Sequence, residues 1–120
     1  MKTQSAKGKG RRLQQQVASD LIKKINKVGL MKNEPELTDK DVKSLGMGQS
    51  GRDIELSTYA EKKIPFDIEC KNTEKASPWQ WIKQAETNTE QFRIPLVVFK
   101  RNRSKTYAII KWEDLLELIV

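Results

Sequence analysis

The run Ile94-Pro95-Leu96-Val97-Val98-Phe99 constrains this chain more than any other segment. It is almost continuously apolar, the pattern of a strand buried on both faces. Such a strand needs cover above and below. Residues 9–28 supply one layer: Leu13, Val17, Leu21 and Ile25 recur every four positions, and Ala18 and Ile22 widen the stripe into an amphipathic helix. Gly29 is its expected stop. Ser77-Pro78 opens a second helix, with an N-cap hydroxyl and a proline at N1, that runs to about residue 90 and buries some of Trp81, Ile82 and Ala85. Residues 53–57 and 66–71 alternate polar and apolar as half-buried strands do. The short, charged connection between them predicts an antiparallel hairpin. Thr38, with Asp41 three residues on, looks like the start of a short segment ending near Leu45, and Gly46 to Gly51 holds three glycines in six residues. A strand at residues 106–111 and a short helix at residues 112–119 close the chain. The order α-β-β-α-β-β-α reads as an α/β (α+β) fold, a small mixed sheet flanked by helices.

At 120 residues the chain is the size of one domain, with residues 1–8 expected to be a disordered basic tail and residues 9–120 the folded unit. No stretch approaches the roughly 18 apolar residues of a membrane span, and the basic N-terminus lacks the apolar region of a secretion signal. A single cysteine, Cys70, excludes an intramolecular disulfide framework and fits a reducing cytoplasm. The chain has no histidine, which removes Ser-His-Asp triads, histidine zinc sites and histidine acid–base chemistry together.

The net charge of +7 is unevenly spread. Lys2, Lys7, Lys9, Arg11 and Arg12 form one basic segment, and Lys100, Arg101, Arg103 and Lys105 form another. The remainder of the chain is slightly acidic. Two such patches suit a protein that grips a phosphate backbone; a solubilising tail and a charged hairpin tip explain them equally well.

Strand periodicity places Asp67, Glu69 and Lys71 on one face, with Phe66, Ile68 and Cys70 on the other. In a hairpin centred on Glu61, Asp53 would stand opposite Glu69 and Glu55 opposite Asp67. Like charges directly opposed are destabilising, and a divalent cation among them explains the arrangement more readily. Mg²⁺ suits such hard oxygen ligands best. Lys71 on the same face could orient a water or stabilise charge on a phosphate. The alternative is an ordinary solvated hairpin face. Cys70, on the apolar face and without a histidine partner, reads as a small buried hydrophobe rather than a nucleophile. Trp79 and Trp81 cannot share one helical face, so one is expected in the core and the other either stacked on an exposed base or filling a subunit interface, with core or interface packing favoured over stacking.

Lys9-Gly10-Arg11-Arg12-Leu13, Ser50-Gly51-Arg52-Asp53-Ile54, Ile68-Glu69-Cys70-Lys71-Asn72, and the Gln84-Ala85 helix followed by residues 94–99 occur in the order seen in PD-(D/E)xK nucleases. The chain resembles that superfamily, and within it the small Holliday-junction resolvases of archaeal type and similar phage-encoded nucleases. The resemblance implies a restriction-endonuclease-like fold and a metal-dependent DNA endonuclease. Asp53 and Glu69 would be metal ligands, joined by the Cys70 backbone carbonyl, with Lys71 the catalytic lysine and Gln84 near the site. Mg²⁺ would be the cofactor, with Mn²⁺ as substitute. Ser50 and Arg52 would contact DNA beside Asp53, and Lys7, Lys9, Arg11, Arg12, Lys100, Arg101, Arg103 and Lys105 would hold its backbone. The resemblance further implies branched DNA as substrate, a homodimer making paired cuts, and a cytoplasmic place, in the host if phage-encoded. Arg52 replaces the usual proline, and Gln14-Gln15-Gln16 stands where the resolvases carry a metal-binding glutamate on the first helix. Nicking, flap or restriction-like cleavage, and a non-catalytic DNA-binding module, are the competing readings.

Overall fold

A computed structural model describes residues 6–45 and 52–120. The glycine-rich segment 46–51 and the beginning of the expected tail lie outside the described residues. The first helix, α1 (Ala6–Met31), begins inside the segment expected as a tail and runs past Gly29. It ends where Asn33 adopts a left-handed φ of 57°, with Asn33 N–H donating to the Leu30 carbonyl and Glu34 N–H to the Gly29 carbonyl. That pair of bonds is a Schellman motif, so an asparagine and not Gly29 occupies the left-handed position. Leu13, Val17 and Ala18 are buried, and Leu21, Ile22 and Ile25 pack against the same core.

The chain then returns along α1, held by the Asn26 side chain, which both donates to and accepts from the Leu37 backbone. Thr38 and Asp41 form half of a capping box, since Thr38 N–H donates to Asp41 Oδ2 at 2.9 Å. No helix follows. The turn leads into β1 (Val42–Ser44), which pairs antiparallel with β2 (Ile54–Leu56). Glu55 therefore faces Lys43, not Asp67.

The expected hairpin between residues 53–57 and 66–71 does not form. Its connection is a helix, α2 (Thr58–Lys63), capped by Ser57 Oγ accepting from Ala60 N–H, with Glu61 in its first turn and Lys62 and Lys63 in its last. Those charges complement the helix dipole, and with the Ser57 cap they were the signal for it. Next comes β3 (Phe66–Asn72), then α3 (Pro78–Asn88), β4 (Ile94–Lys100), β5 (Tyr107–Ile110) and α4 (Trp112–Leu118). β3 runs parallel to β4 with Glu69 beside Val97, and β4 pairs antiparallel with β5. β1 and α2 thus add to the anticipated order.

The mixed sheet separates two cores. Ile68, Cys70, Leu96 and Val98 face α1, while Val97, Phe99 and Ile109 pack with Trp81 and Ala85 of α3. β4 is covered on both faces, as its apolar run demands. This layering leaves the odd-numbered side chains of β3 beneath α3. Asp67, 2% exposed, is met there by Arg93 Nε at 2.7 Å, Arg52 Nη1 at 2.8 Å and the Glu90 N–H at 3.0 Å. Arg93 also donates to the carbonyls of Glu61, Ile64 and Phe66, tying α2 to β3.

Burial pushes the Asp67 carboxyl up, but the Glu90 N–H, Arg93 and Arg52 outweigh it and hold its pKa below the ordinary 3.8. A lowered folded pKa gives stability that is present above the unfolded value and lost as pH falls through the folded one. Arg93→Ala is expected to destabilise the protein by roughly 3 kcal/mol at neutral pH, because it leaves a buried carboxylate short of a partner. The acid side of the stability profile should flatten in the same variant. Urea unfolding at several pH values checks both, and a loss no larger than that of an exposed arginine would show Arg52 suffices alone.

Candidate active site

Asp53 lies directly before β2, yet two bonds bring it to β3. Its N–H donates to the Ile68 carbonyl at 3.0 Å, and its Oδ2 accepts the Cys70 N–H at 2.7 Å. The two bonds bracket Glu69, so the pair that the hairpin was expected to align is assembled by a different route. Glu69 is 1% exposed. Its Oε1 accepts from Asn88 Nδ2 at 2.8 Å, while Oε2 is buried with no hydrogen-bond partner. Lys71 Nζ donates to Gln84 Oε1 at 2.7 Å on the same side of the strand.

Burial lifts the Glu69 carboxyl to about 7; the Asp53 charge adds to the rise, and Asn88 and Lys71 oppose it. Burial also raises Asp53, against the Cys70 N–H and Lys71. A buried carboxyl against a half-buried one favours sharing a proton over both ionising together. Asp67, two residues earlier, has two guanidinium partners; Asp53 and Glu69 have none and are left under-compensated. The orphaned Glu69 Oε2 and the all-oxygen donor set fit a hard divalent cation, which would take the place of the shared proton. Among the described residues no three Asp, Glu, His or Cys side chains gather at one point. Two carboxylates completed by backbone oxygen and water are a usual protein share for Mg²⁺.

Burial, and then the neighbouring carboxylates, push the Cys70 thiol far up, so it carries no thiolate chemistry. On α1, Gln14 is 1% exposed, whereas Gln15 and Gln16 are exposed and Gln16 Nε2 donates to Thr106 Oγ1. A buried neutral amide thus occupies that part of the helix, bringing no charge. Asn88 escaped the reading of the sequence. Its signal was its place four residues after Gln84, on the same stripe of α3.

The two basic segments meet. Lys9 and Arg12 of α1, with Lys100 and Arg103 from the end of β4 and its turn, line a groove of about 320 Å³ together with Asn72 and Asn102. Asn72 directly follows Lys71 on β3, but its side chain turns to α1, where it donates to the Lys9 carbonyl, so the groove lies at the end of that strand on the α1 side. Arg11, Arg101 and Lys105 are exposed nearby in sequence. Arg52 is elsewhere, engaged by Asp67 and within 3.6 Å of Glu61 and 3.4 Å of Glu90. Ser50 and the Lys7 side chain lie outside the described residues. No helix among the described residues is long and apolar enough to cross a membrane.

A mixed sheet between helices, with a glutamate and a lysine two apart on one strand and an aspartate hydrogen-bonded against it, is the arrangement of PD-(D/E)xK nucleases. A family model described as "Phage putative PDDEXK endonuclease" matches residues 5–119, and the chain belongs to that family. No curated protein and no solved structure matches the chain.

The raised Glu69 pKa has a definite sign. The folded state holds this proton more tightly, so the contribution is fully present below 4.5 and is lost as pH rises through about 7. Glu69→Gln is expected to raise the stability of the metal-free protein above neutral pH, by about 1–3 kcal/mol, because the amide keeps the Asn88 bond without the charge. An unchanged urea midpoint at high pH would mean that the carboxylate is already compensated.

Proposed function

We propose that this nuclease hydrolyses phosphodiester bonds in DNA with a divalent cation, Mg²⁺ or Mn²⁺ as substitute, held by Asp53, Glu69 and the Cys70 backbone carbonyl. The observation that carries this reading is the under-compensated pair: the buried Glu69 carboxyl with one oxygen lacking a donor, the half-buried Asp53 carboxyl against it, and Lys71 on the same face of β3 as Glu69. The chemistry such a cation supplies is Lewis acidity toward the scissile phosphodiester. The Cys70 N–H fixes one oxygen of Asp53, and Asn88 fixes one oxygen of Glu69, so each carboxylate presents its other oxygen in a set direction. Gln84 restrains the Lys71 ammonium, which is then in place to stabilise negative charge building on the phosphate as the bond breaks. The groove cations hold the flanking phosphates; Lys9, Arg12, Lys100 and Arg103 converge there, and Lys7, Arg11, Arg101 and Lys105 extend the field. Ser50 is proposed to contact the backbone beside Asp53. Arg52, drawn into the Asp67 cluster, acts through Asp67 instead.

The resemblance to resolvases favours branched DNA, with paired cuts made by two copies of the chain. Exposed Trp79 and Trp112, which border an apolar cavity of about 430 Å³ between α3 and β5, give a second copy a surface to cover. A DNA-binding module without catalysis would have no use for the acidic pair.

A labelled four-way junction and a matched linear duplex, each with Mg²⁺, Mn²⁺ or chelator, test the reading. Metal-dependent cleavage is expected, reduced at least about a hundredfold in Asp53→Asn and in Lys71→Ala with DNA binding retained. Paired cuts confined to the junction would support resolution; cutting of both substrates would keep the nuclease and discard the preference. Binding without cutting under either metal would overturn it. Replacing Lys100 or Arg103 by alanine should lower the salt dependence of binding by about one counterion per cation, measured as the slope of log K against log salt.

A further inference from the structure

Beyond the basic groove, on the same side of the sheet as Lys71, a second cavity of about 300 Å³ lies between Trp81, Phe99 and Tyr107, rimmed by Thr73, Lys100 and Arg101. The strand register explains its position. Lys71 pairs with Phe99 across β3 and β4, and Phe99 pairs with Tyr107 across β4 and β5. The catalytic lysine and the two rings therefore form one cross-sheet row. Phe99 leans on the buried Trp81 with ring centroids 5.5 Å apart, and Tyr107 on Phe99 at 5.9 Å. Tyr107 is 56% exposed, the outermost ring of a ladder rooted in the core. Two strand spacings, about 10 Å, separate its strand from that of Lys71. That is roughly three steps of stacked bases at 3.4 Å per step.

We infer that this cavity takes one unpaired nucleobase about three nucleotides from the scissile phosphate, stacked on Tyr107, with Lys100 and Arg101 on its flanking phosphates. The inference rests on the nuclease reading above and deepens it by naming what the DNA must offer: a nucleotide free of its partner strand. A paired base already has its faces stacked within the duplex and has none for Tyr107. The polar lining is mostly committed elsewhere. Thr73 Oγ1 donates to the Lys75 carbonyl, Ser104 Oγ bonds the Arg101 backbone, and Glu74 Oε1 accepts the Asn102 N–H. Few groups are left to read a base edge, so the site selects an unpaired base without selecting its identity, as stacking platforms do. Lys100 and Arg101 outnumber Glu74 on the lining and supply charge complementarity, and the cavity is continuous with the basic groove through Lys100, which lines both.

The test uses the whole protein in chelator, so that cleavage does not intervene. It is bound to a flapped DNA carrying a fluorescent aminopurine at unpaired positions near the junction, and to the fully paired duplex of the same sequence. The expected result is tighter binding of the flapped DNA, with aminopurine quenching at one position. Tyr107→Ala should weaken flapped DNA roughly tenfold and abolish quenching, with duplex affinity unchanged. Tyr107→Phe, which keeps the ring, should behave as wild type and shows that the substitution site is tolerated. Equal weakening on both DNAs, or quenching that survives Tyr107→Ala, would overturn the inference, as would no preference for flapped DNA. The nuclease reading is judged separately: metal-dependent cutting with no Tyr107 effect removes this site alone, and Tyr107-dependent stacking without cutting under any metal removes the nuclease alone.

Discussion

Three carboxylates lie on or against β3 where α3 covers it, and the fold treats them in two opposite ways. Asp67 is surrounded by Arg93, Arg52 and the Glu90 N–H, and its pKa falls. Asp53 accepts a backbone N–H and Glu69 an asparagine amide, the two carboxyls meet each other with no guanidinium between them, and their pKa values rise. A buried charge without a partner is among the most destabilising features a small domain can hold. The arginine cluster anchors α2, the start of β3 and the turn after α3, so that the strand can bear an acidic pair two residues on. Stability is concentrated at one end of the strand and strain at the next position.

Parallel pairing of β3 with β4 is what makes this arrangement possible. It sets α3 over the acidic face, bringing Gln84 to Lys71 and Asn88 to Glu69, and frees the other face of the strand to pack under α1. The same register aligns Lys71 with Phe99 and Tyr107. The ends of β3 and β4 then bring the basic turn at residues 100–105 to the N-terminal helix, closing a cationic groove from segments some ninety residues apart in sequence.

Much of this was legible in the residues. The four-residue stripe of α1, the Ser77-Pro78 helix opening and the apolar run of β4 each depend on local periodicity, and each element appears near its expected bounds. The Ile68-Glu69-Cys70-Lys71 strand and the upstream Asp53 were also legible, because alternation and residue chemistry are both local. The hairpin between them was not. Ser57 and Glu61 signalled α2, but a six-residue helix is too short for periodicity to reveal, and once it forms, the two strands cannot be joined by a tight turn. The capping residues Thr38 and Asp41 made their predicted hydrogen bonds and yet led into a strand, since Val42 and Ser44 found a partner in β2.

The sequence by itself determined the helices with long apolar stripes, the faces of each strand, the absence of histidine chemistry and the identity of the acidic pair and its lysine. These follow from side-chain type and spacing, which survive any choice of strand partners. Only the tertiary structure decided that β3 lies parallel to β4, that Asp53 reaches Glu69 through backbone bonds rather than across a hairpin, and that Arg52 serves Asp67. It also decided that Asn88 steadies Glu69, and that Tyr107 ends an aromatic row beside Lys71. Each of these is a pairing between distant segments, chosen by which surfaces could be buried together, and no short-range pattern encodes that choice.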